Sequence, residues 1–275
     1  MTLAQALRQA LAGGVSRLDG HLLMLHALRR PGSDRAWLLA HDDHELTAQQ
    51  AELFEGLCRR RAAGEPVAYL TGCKEFFGLP LAVDPRVLVP RPETETLVEW
   101  ALETLGGTDR PRLIDLGTGS GAIALALASR RPDARVEAVD ASAGALEVAR
   151  ANAQRLRLEV GFRQGHWLQG CTGPYDLIAS NPPYVREGDE HLAALVHEPL
   201  AALAAGPDGL DDLRQIVATA PARLAPGGWL LLEHGWDQAE AVRALLQDAG
   251  FVAVGTRQDL AGIGRCSGGR RPERG

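Results

Sequence analysis

Apolar positions change spacing twice along this chain, and the changes divide it into three stretches. In residues 1–74 they recur at three- and four-residue intervals, the period of an amphipathic helix. Leu3, Leu7 and Leu11 follow a Thr2/Gln5 capping box, and Leu18, Leu22 and Leu25 follow Ser16 and Asp19. Further helices are expected from Ser33 or Asp34, and from Thr47 through Leu53, Phe54, Leu57 and Cys58 to a stop at Gly64. This first stretch reads as a small helical bundle domain. In residues 75–90, turn signals at Gly78, Pro80, Asp84 and Pro85 bracket Leu81-Ala-Val83 and Val87-Leu-Val89, which predicts a β-hairpin linker.

Residues 91–275 alternate. A helix opens with Pro92 at its first position, Glu93 and Glu95 in its positive first turn, and Leu97, Val98, Ala101, Leu102 and Leu105 on one face. Apolar runs at 112–116, 135–139, 159–163, 176–180, 229–233 and 251–256 then alternate with helical stretches near 120–130, 142–157, 209–224 and 237–249. Such alternation predicts an α/β fold with a doubly wound, mostly parallel sheet that binds ligands at the carboxyl ends of its strands.

Composition narrows the function classes. The 275 residues carry a formal charge of −6, so no global field draws the chain onto nucleic acid or an anionic membrane. Lys74 is the sole lysine, which removes a phosphate loop of the G-x-x-x-x-G-K type. Cys58, Cys73, Cys171 and Cys266 form no C-x-x-C pair, and His41-Asp-Asp-His44 reads as a solvated loop, so neither a disulfide framework nor a metal is expected. No apolar run reaches the roughly 20 residues needed to span a bilayer, and Met1 to Ala12 has no signal-peptide layout. A cytoplasmic protein with no membrane partner is expected.

The strand Leu113 to Leu116 breaks into Gly117-Thr118-Gly119-Ser120-Gly121 and restarts as a helix. Glycines let the chain turn sharply and let a ligand approach without meeting a Cβ. Asp140 ends the next strand, 19 positions after Gly121, where a carboxylate can accept both hydroxyls of a ribose. A nucleoside ligand follows, but the pattern alone fits two. Gly117, Gly119 and Ala122 also satisfy the relaxed dinucleotide fingerprint. Asp115 suits the cationic sulfonium of S-adenosylmethionine better than a pyrophosphate.

Asn181-Pro182-Pro183-Tyr184 ends the fourth expected strand. Two prolines fix the backbone and remove two N–H donors, leaving the Asn181 side chain and the Pro182 carbonyl as outward acceptors for a planar NH2 group. Such a nitrogen is a poor nucleophile, and acceptors on both hydrogens direct it toward a methyl donor at near-attack distance. Tyr184 supplies a flat face against the planar target.

Together these motifs resemble class I S-adenosylmethionine-dependent N-methyltransferases. More closely, the chain is similar to the HemK (PrmC) family, which methylates the glutamine of peptide chain release factors. The resemblance runs through Tyr69-Leu-Thr-Gly, Glu75-Phe-Phe-Gly-Leu-Pro-Leu, Val89-Pro-Arg-Pro-Glu-Thr-Glu95, the glycine loop, Asn181-Pro-Pro-Tyr and Leu232-Glu-His-Gly235. It implies a seven-stranded class I methyltransferase fold behind an N-terminal substrate-recognition domain. It also implies S-adenosyl-L-methionine as cofactor, held by Gly117 to Gly121, Asp140, Trp167 and Asn181. The partner it implies is a class 1 release factor, whose Gly-Gly-Gln glutamine amide Asn181 to Tyr184 would receive. Arg91, Glu93 and Glu95 either orient the substrate or cap a helix.

The chain departs from the family at Gly165-His166-Trp167, where an acidic residue usually precedes the Trp, and at His197-Glu-Pro199, where an aromatic residue usually precedes Glu-Pro. Its tail, Gly264 to Arg271, lacks the apolar residues of a last strand, so a short, frayed or absent edge strand is expected. The competing readings are an amino methyltransferase acting on adenine N6, cytosine N4 or guanine N2, and a non-catalytic binding module. The charge of −6 argues against the first and the intact Asn-Pro-Pro-Tyr against the second.

Overall fold

Side-chain caps start the N-terminal helices. In a computed structural model, which describes residues 1–273, α1 (Leu3–Ala12) opens with the reciprocal Thr2/Gln5 capping box. The Ser16 hydroxyl accepts the Asp19 N–H at the start of α2 (Arg17–Ala27). After α3 (Arg35–Ala40), Thr47 and Gln50 repeat the capping box at α4 (Ala48–Ala62), and α5 (Val67–Thr71) stops at Gly72, whose φ of 69° favours glycine. Leu23, Met24 and Leu25 of α2 are fully buried, with α1 and α4 packed on it. The buried stripe of α1 is Leu3, Ala6 and Ala10, while Leu11 is 58% exposed, so the expected leucine face is rotated. Small alanines and the contact of Leu7 with Gly20 let α1 lie close to α2. These helices form one compact unit, Met1–Cys73, and a second begins at Lys74.

The β-hairpin forms earlier than the apolar runs suggest. Its strands are β1 (Cys73–Phe76) and β2 (Leu79–Ala82), joined across Phe77 and Gly78 at φ 52° and 81°. Two successive positive-φ residues match the twist of paired strands. Val87-Leu-Val89 is not a strand: Pro85 and Pro90 flank it, and the Val89 N–H donates to the Glu198 carboxylate (3.0 Å) instead of to a neighbouring strand. Pro92 opens a 3₁₀ turn that runs into α6 (Glu95–Thr104).

The alternating region follows as β3 (Arg112–Leu116), α7 (Ala122–Arg130), β4 (Arg135–Asp140), α8 (Ala143–Leu156), β5 (Gly161–Gln164) and β6 (Tyr175–Ser180). It continues with α9 (Asp211–Thr219), β7 (Leu224–Glu233), α10 (Ala239–Asp248), β8 (Val252–Gln258) and β9 (Gly264–Arg270). The strands make a seven-stranded sheet in the order β5-β4-β3-β6-β7-β9-β8, parallel except for β9, which runs antiparallel to both neighbours. Side chains alternate between its faces. Leu113, Leu177 and Leu231 pack with α6 and α7, while Ile114, Ile178, Leu230 and Leu232 pack with α9 and α10.

The tail therefore corrects the expected frayed edge. β9 is a full strand inserted between β7 and β8, and Cys266 and Ser267 are completely buried. Apolar bulk is missing because neighbours fill the space. A Cβ on Gly268 would lie 2.4 Å from Leu231 Cδ2, and one on Gly269 would lie 2.8 Å from Phe251 Cβ.

Candidate active site

One row of registered residues places the chemistry. Val139 of β4 pairs with Leu116 of β3, Leu116 with Ser180 of β6, and Ser180 with Leu232 of β7. The next residue on each strand is Asp140, Gly117, Asn181 and Glu233, so these four stand side by side at the carboxyl edge of the sheet. Adjacent strands are about 4.8 Å apart. The row spans the point where the chain's crossovers reverse direction about β3, the usual ligand crevice of such a sheet. The Ser180 hydroxyl donates to the Leu116 carbonyl (2.7 Å), tying the two central loops together at their roots.

Positive φ at Gly117, Gly119 and Gly121 (70°, 54° and 87°) carries the chain from β3 into α7. Space beside Gly119 is open, with no atom within 4 Å of where a Cβ would stand. Asp140 holds the loop: its Oδ2 accepts the Gly119 N–H and its Oδ1 the Ser142 N–H, both at 2.8 Å. Thr118 and Ser120 are buried. The Thr118 hydroxyl donates to Asp115 (2.6 Å), and Asn152 of α8 donates to the Ser120 carbonyl (2.9 Å), so these two residues leave mainly backbone for a ligand.

Asp115 differs from its expected role beside a cation. It is wholly enclosed, its Oδ2 accepts from Thr118 and from the Ala124 N–H (3.2 Å), and its Oδ1 has no partner among the described residues. Burial raises its carboxyl to about 7 against the pull of those bonds. It braces the loop from below.

Trp167 is also buried, at φ 49°, with its ring against Gly117 and its Nε1–H donating to Asp212 Oδ1 (3.1 Å). Asp212 lies in the first turn of α9, and the residue before Trp167, His166, packs edge-on against the indole (5.3 Å between centroids).

Asn181 Nδ2 donates to Thr94 Oγ1 (3.2 Å). Among the described residues no donor reaches Asn181 Oδ1 or the Pro182 carbonyl. Tyr184 is half-buried, and its hydroxyl lies 3.5 Å from Glu233 Oε1. Burial, and next the Glu233 charge, hold the phenol well above its usual pKa. Gln238 Nε2 donates to the Tyr184 carbonyl (3.0 Å) while its Oε1 accepts the Gly235 N–H (2.8 Å), pinning the Asn-Pro-Pro-Tyr loop to the end of β7.

The Arg91-to-Glu95 segment now divides into separate roles. Arg91 pairs with the buried Glu198, anchoring the long connection after Tyr184. Glu95 accepts the Phe77 N–H (2.9 Å) at the hairpin turn. Thr94 alone touches the Asn181 side chain. His41 and His44 both pack on Trp37, and among the described residues no group of three or more His, Cys, Asp or Glu side chains could hold a metal ion.

The edge fits a nucleoside. Each Asp140 oxygen takes one backbone N–H and keeps lone-pair capacity for a diol. The open space at Gly119 admits a ligand against backbone, and the Asp140 side chain, held on the Gly119 N–H, disfavours a pyrophosphate there.

Comparison with known proteins agrees. The PrmC N-terminal domain family matches residues 2–72, and the methyltransferase small domain family matches residues 94–249. A release factor glutamine methyltransferase of Xylella fastidiosa is 51% identical over 271 residues, covering 97% of this chain and 98% of its own. That of Bordetella pertussis is 51% identical over 260 residues, covering 93% and 95%. Among solved structures, a Thermus thermophilus 16S rRNA N2 G1207 methyltransferase in complex with AdoMet and guanosine superposes with a TM-score of 0.56 at 22% identity, over 72% of this chain and 49% of its own. The human Mettl16 catalytic domain gives 0.58 at 17%, over 78% and 80%. These likenesses establish the class I methyltransferase fold, and the near full-length identity shows that the chain belongs to the release factor glutamine methyltransferase family.

Proposed function

We propose that this protein transfers a methyl group from S-adenosyl-L-methionine to the side-chain N5 of the Gly-Gly-Gln glutamine of class 1 peptide chain release factors. The observation that carries the reading is the pair of unengaged acceptors, Asn181 Oδ1 and the Pro182 carbonyl, one strand away from the glycine loop. A primary amide carries two hydrogens, and these acceptors match them. The cofactor, when bound, supplies an electrophilic methyl on a sulfonium.

This chain's residues bind and orient. Gly117, Gly119 and Gly121 offer backbone, Asp140 takes the ribose hydroxyls, and Trp167 walls the base side. Asn181 and Pro182 hold the amide hydrogens so that the nitrogen faces the methyl, and Pro183 and Tyr184 fix its plane. No strong base is required, since the amide proton leaves with or after transfer. The residues preceding Lys74 contribute to recognition of the protein substrate. A cytoplasmic site of action follows from that substrate. No helix among the described residues is long and apolar enough to cross a membrane.

Asn181→Ala tests the reading. It should reduce methyl transfer at least 100-fold while changing S-adenosylhomocysteine affinity less than threefold by titration calorimetry. Parallel loss of both would move Asn181 from the target to the cofactor.

A further inference from the structure

A glutamine side chain has an acceptor end and a donor end, and a buried one must find partners for both. Gln238, at 4% exposure, finds them on the backbone. Its Oε1 accepts the Gly235 N–H (2.8 Å), and its Nε2 faces three carbonyls, those of Tyr184 (3.0 Å), Asp208 (3.3 Å) and Gly209 (3.3 Å). The reversed amide would set oxygen against three oxygens, so these partners hold the side chain in one sense. The backbone of Gln238 is anchored at the start of α10, where its carbonyl accepts the Val242 N–H (3.0 Å), so the amide reaches out from a fixed base.

The four backbone groups belong to three loops. Tyr184 closes the Asn-Pro-Pro-Tyr turn, Gly235 follows the end of β7, and Asp208 and Gly209 lead into α9. Three residues beyond Gly209, Asp212 accepts the Trp167 Nε1–H (3.1 Å), and the Trp167 ring lies against Gly117 of the glycine loop. One buried amide thus stands between the target's side of the site and the wall of the cofactor's side. Resting on the proposed placement of the target amide against Tyr184, we infer that Gln238 is a positioning residue for methyl transfer. It acts through the Tyr184 carbonyl, setting the tyrosine ring at a fixed place relative to the cofactor wall.

The neighbouring glycines show how closely the loops are drawn in. A Cβ on Gly209, at φ 74°, would lie 2.3 Å from the Tyr184 carbonyl oxygen and 2.8 Å from Gln238 Nε2, and one on Gly235 would lie 3.0 Å from Gln238 Oε1. The Tyr184 backbone is held from its other side as well. Its own N–H and that of Val185 both donate to the Leu203 carbonyl (3.2 and 2.8 Å). Only residues without a Cβ let the backbone close around the amide in this way.

The test follows methyl transfer from labelled S-adenosylmethionine to a class 1 release factor by purified full-length enzyme. Gln238→Met keeps the length of the side chain and loses both hydrogen-bonding ends. It should lower kcat about 10- to 100-fold, the scale of a misplaced reacting group, while KM for the release factor and affinity for S-adenosylhomocysteine change less than threefold. Gly209→Ala crowds the same carbonyl from the other side and should lower kcat at least about tenfold. Gly250→Ala, similarly strained at φ 82° but with nothing within 4 Å of its Cβ, should stay within about twofold of wild type, and this pair decides the matter if Gln238→Met fails to fold. In a Tyr184→Ala background, Gln238→Met should cost less than a further threefold, because the ring it places is gone, whereas a residue that only holds the fold would cost the same in both backgrounds. Full activity in Gln238→Met, equal activity in Gly209→Ala and Gly250→Ala, or an undiminished loss in the Tyr184→Ala background would overturn the inference. Full activity in Tyr184→Ala alone would instead overturn the underlying assignment of Tyr184.

Discussion

Replacing Asp140 with alanine removes one carboxylate and three functions at once. Its Oδ2 accepts the Gly119 N–H and its Oδ1 the Ser142 N–H, each at 2.8 Å, so it ties the glycine loop to the start of α8 before any ligand arrives. The remaining lone pairs are those assigned to the ribose hydroxyls. A hydrogen bond to a charged group contributes about 1.5 to 3 kcal/mol, and each 1.4 kcal/mol is tenfold in affinity. Loss of the ribose contact alone thus weakens cofactor binding about 10- to 150-fold, and loosening of Gly119 adds to it. Asp140→Asn is no gentle change here. Both neighbouring backbone groups are donors, so the new NH2 must face one of them, and asparagine should resemble alanine rather than wild type. Titration calorimetry with S-adenosylhomocysteine reads the affinity, and a circular dichroism melt verifies the fold. An Asp140→Ala affinity within threefold of wild type would refute the ribose assignment.

Two further outcomes follow from burial. Asp115 has its pKa raised to about 7 because its neutral form is favoured inside the protein. Its stability contribution is complete below the unfolded value near 4 and is lost as pH rises through about 7, a swing of about 4 kcal/mol. In urea denaturation, wild type should lose stability relative to Asp115→Asn across that window, and a pH-independent difference would contradict the account. In β9, Gly268→Ala places a Cβ 2.7 Å from the Leu230 carbonyl, which cannot move aside, and should destabilise by about 1 to 3 kcal/mol. Gly255→Ala in β8, where nothing lies within 4 Å, should stay within about 0.5 kcal/mol. Equal melting temperatures for the two variants would mean that β9 is not packed as described.

What was legible in the chain was local. The glycine loop, the carboxylate ending β4, the Asn-Pro-Pro-Tyr turn and the capping boxes at Thr2 and Thr47 each carry their physical reason within a few residues, and each stands where its pattern places it. What stayed hidden depends on distant partners. Glu198 answers Val89 and Arg91 across 109 and 107 positions, Asp212 answers Trp167 across 45, and Asn181 meets Thr94 across 87. No periodicity encodes such pairs.

The last strand shows the opposite limit. Hydrophobic bulk is the usual sign of burial, but β9 is buried with glycines because Leu231, Trp100 and Phe251 already occupy the volume its side chains would need. The hairpin was displaced for a similar reason. Phe77 takes a positive φ that its residue type does not advertise, while the valines at 87 and 89 are buried without pairing as a strand.

The central claim, a glutamine amide in a protein as the methyl acceptor, meets its most direct test in one assay. Labelled S-adenosylmethionine is offered with a purified class 1 release factor, its Gly-Gly-Gln to Gly-Gly-Ala variant, duplex DNA and ribosomal RNA. Label on the wild-type factor alone is the predicted result. Label on nucleic acid, or equally on the Gly-Gly-Ala variant, would contradict it.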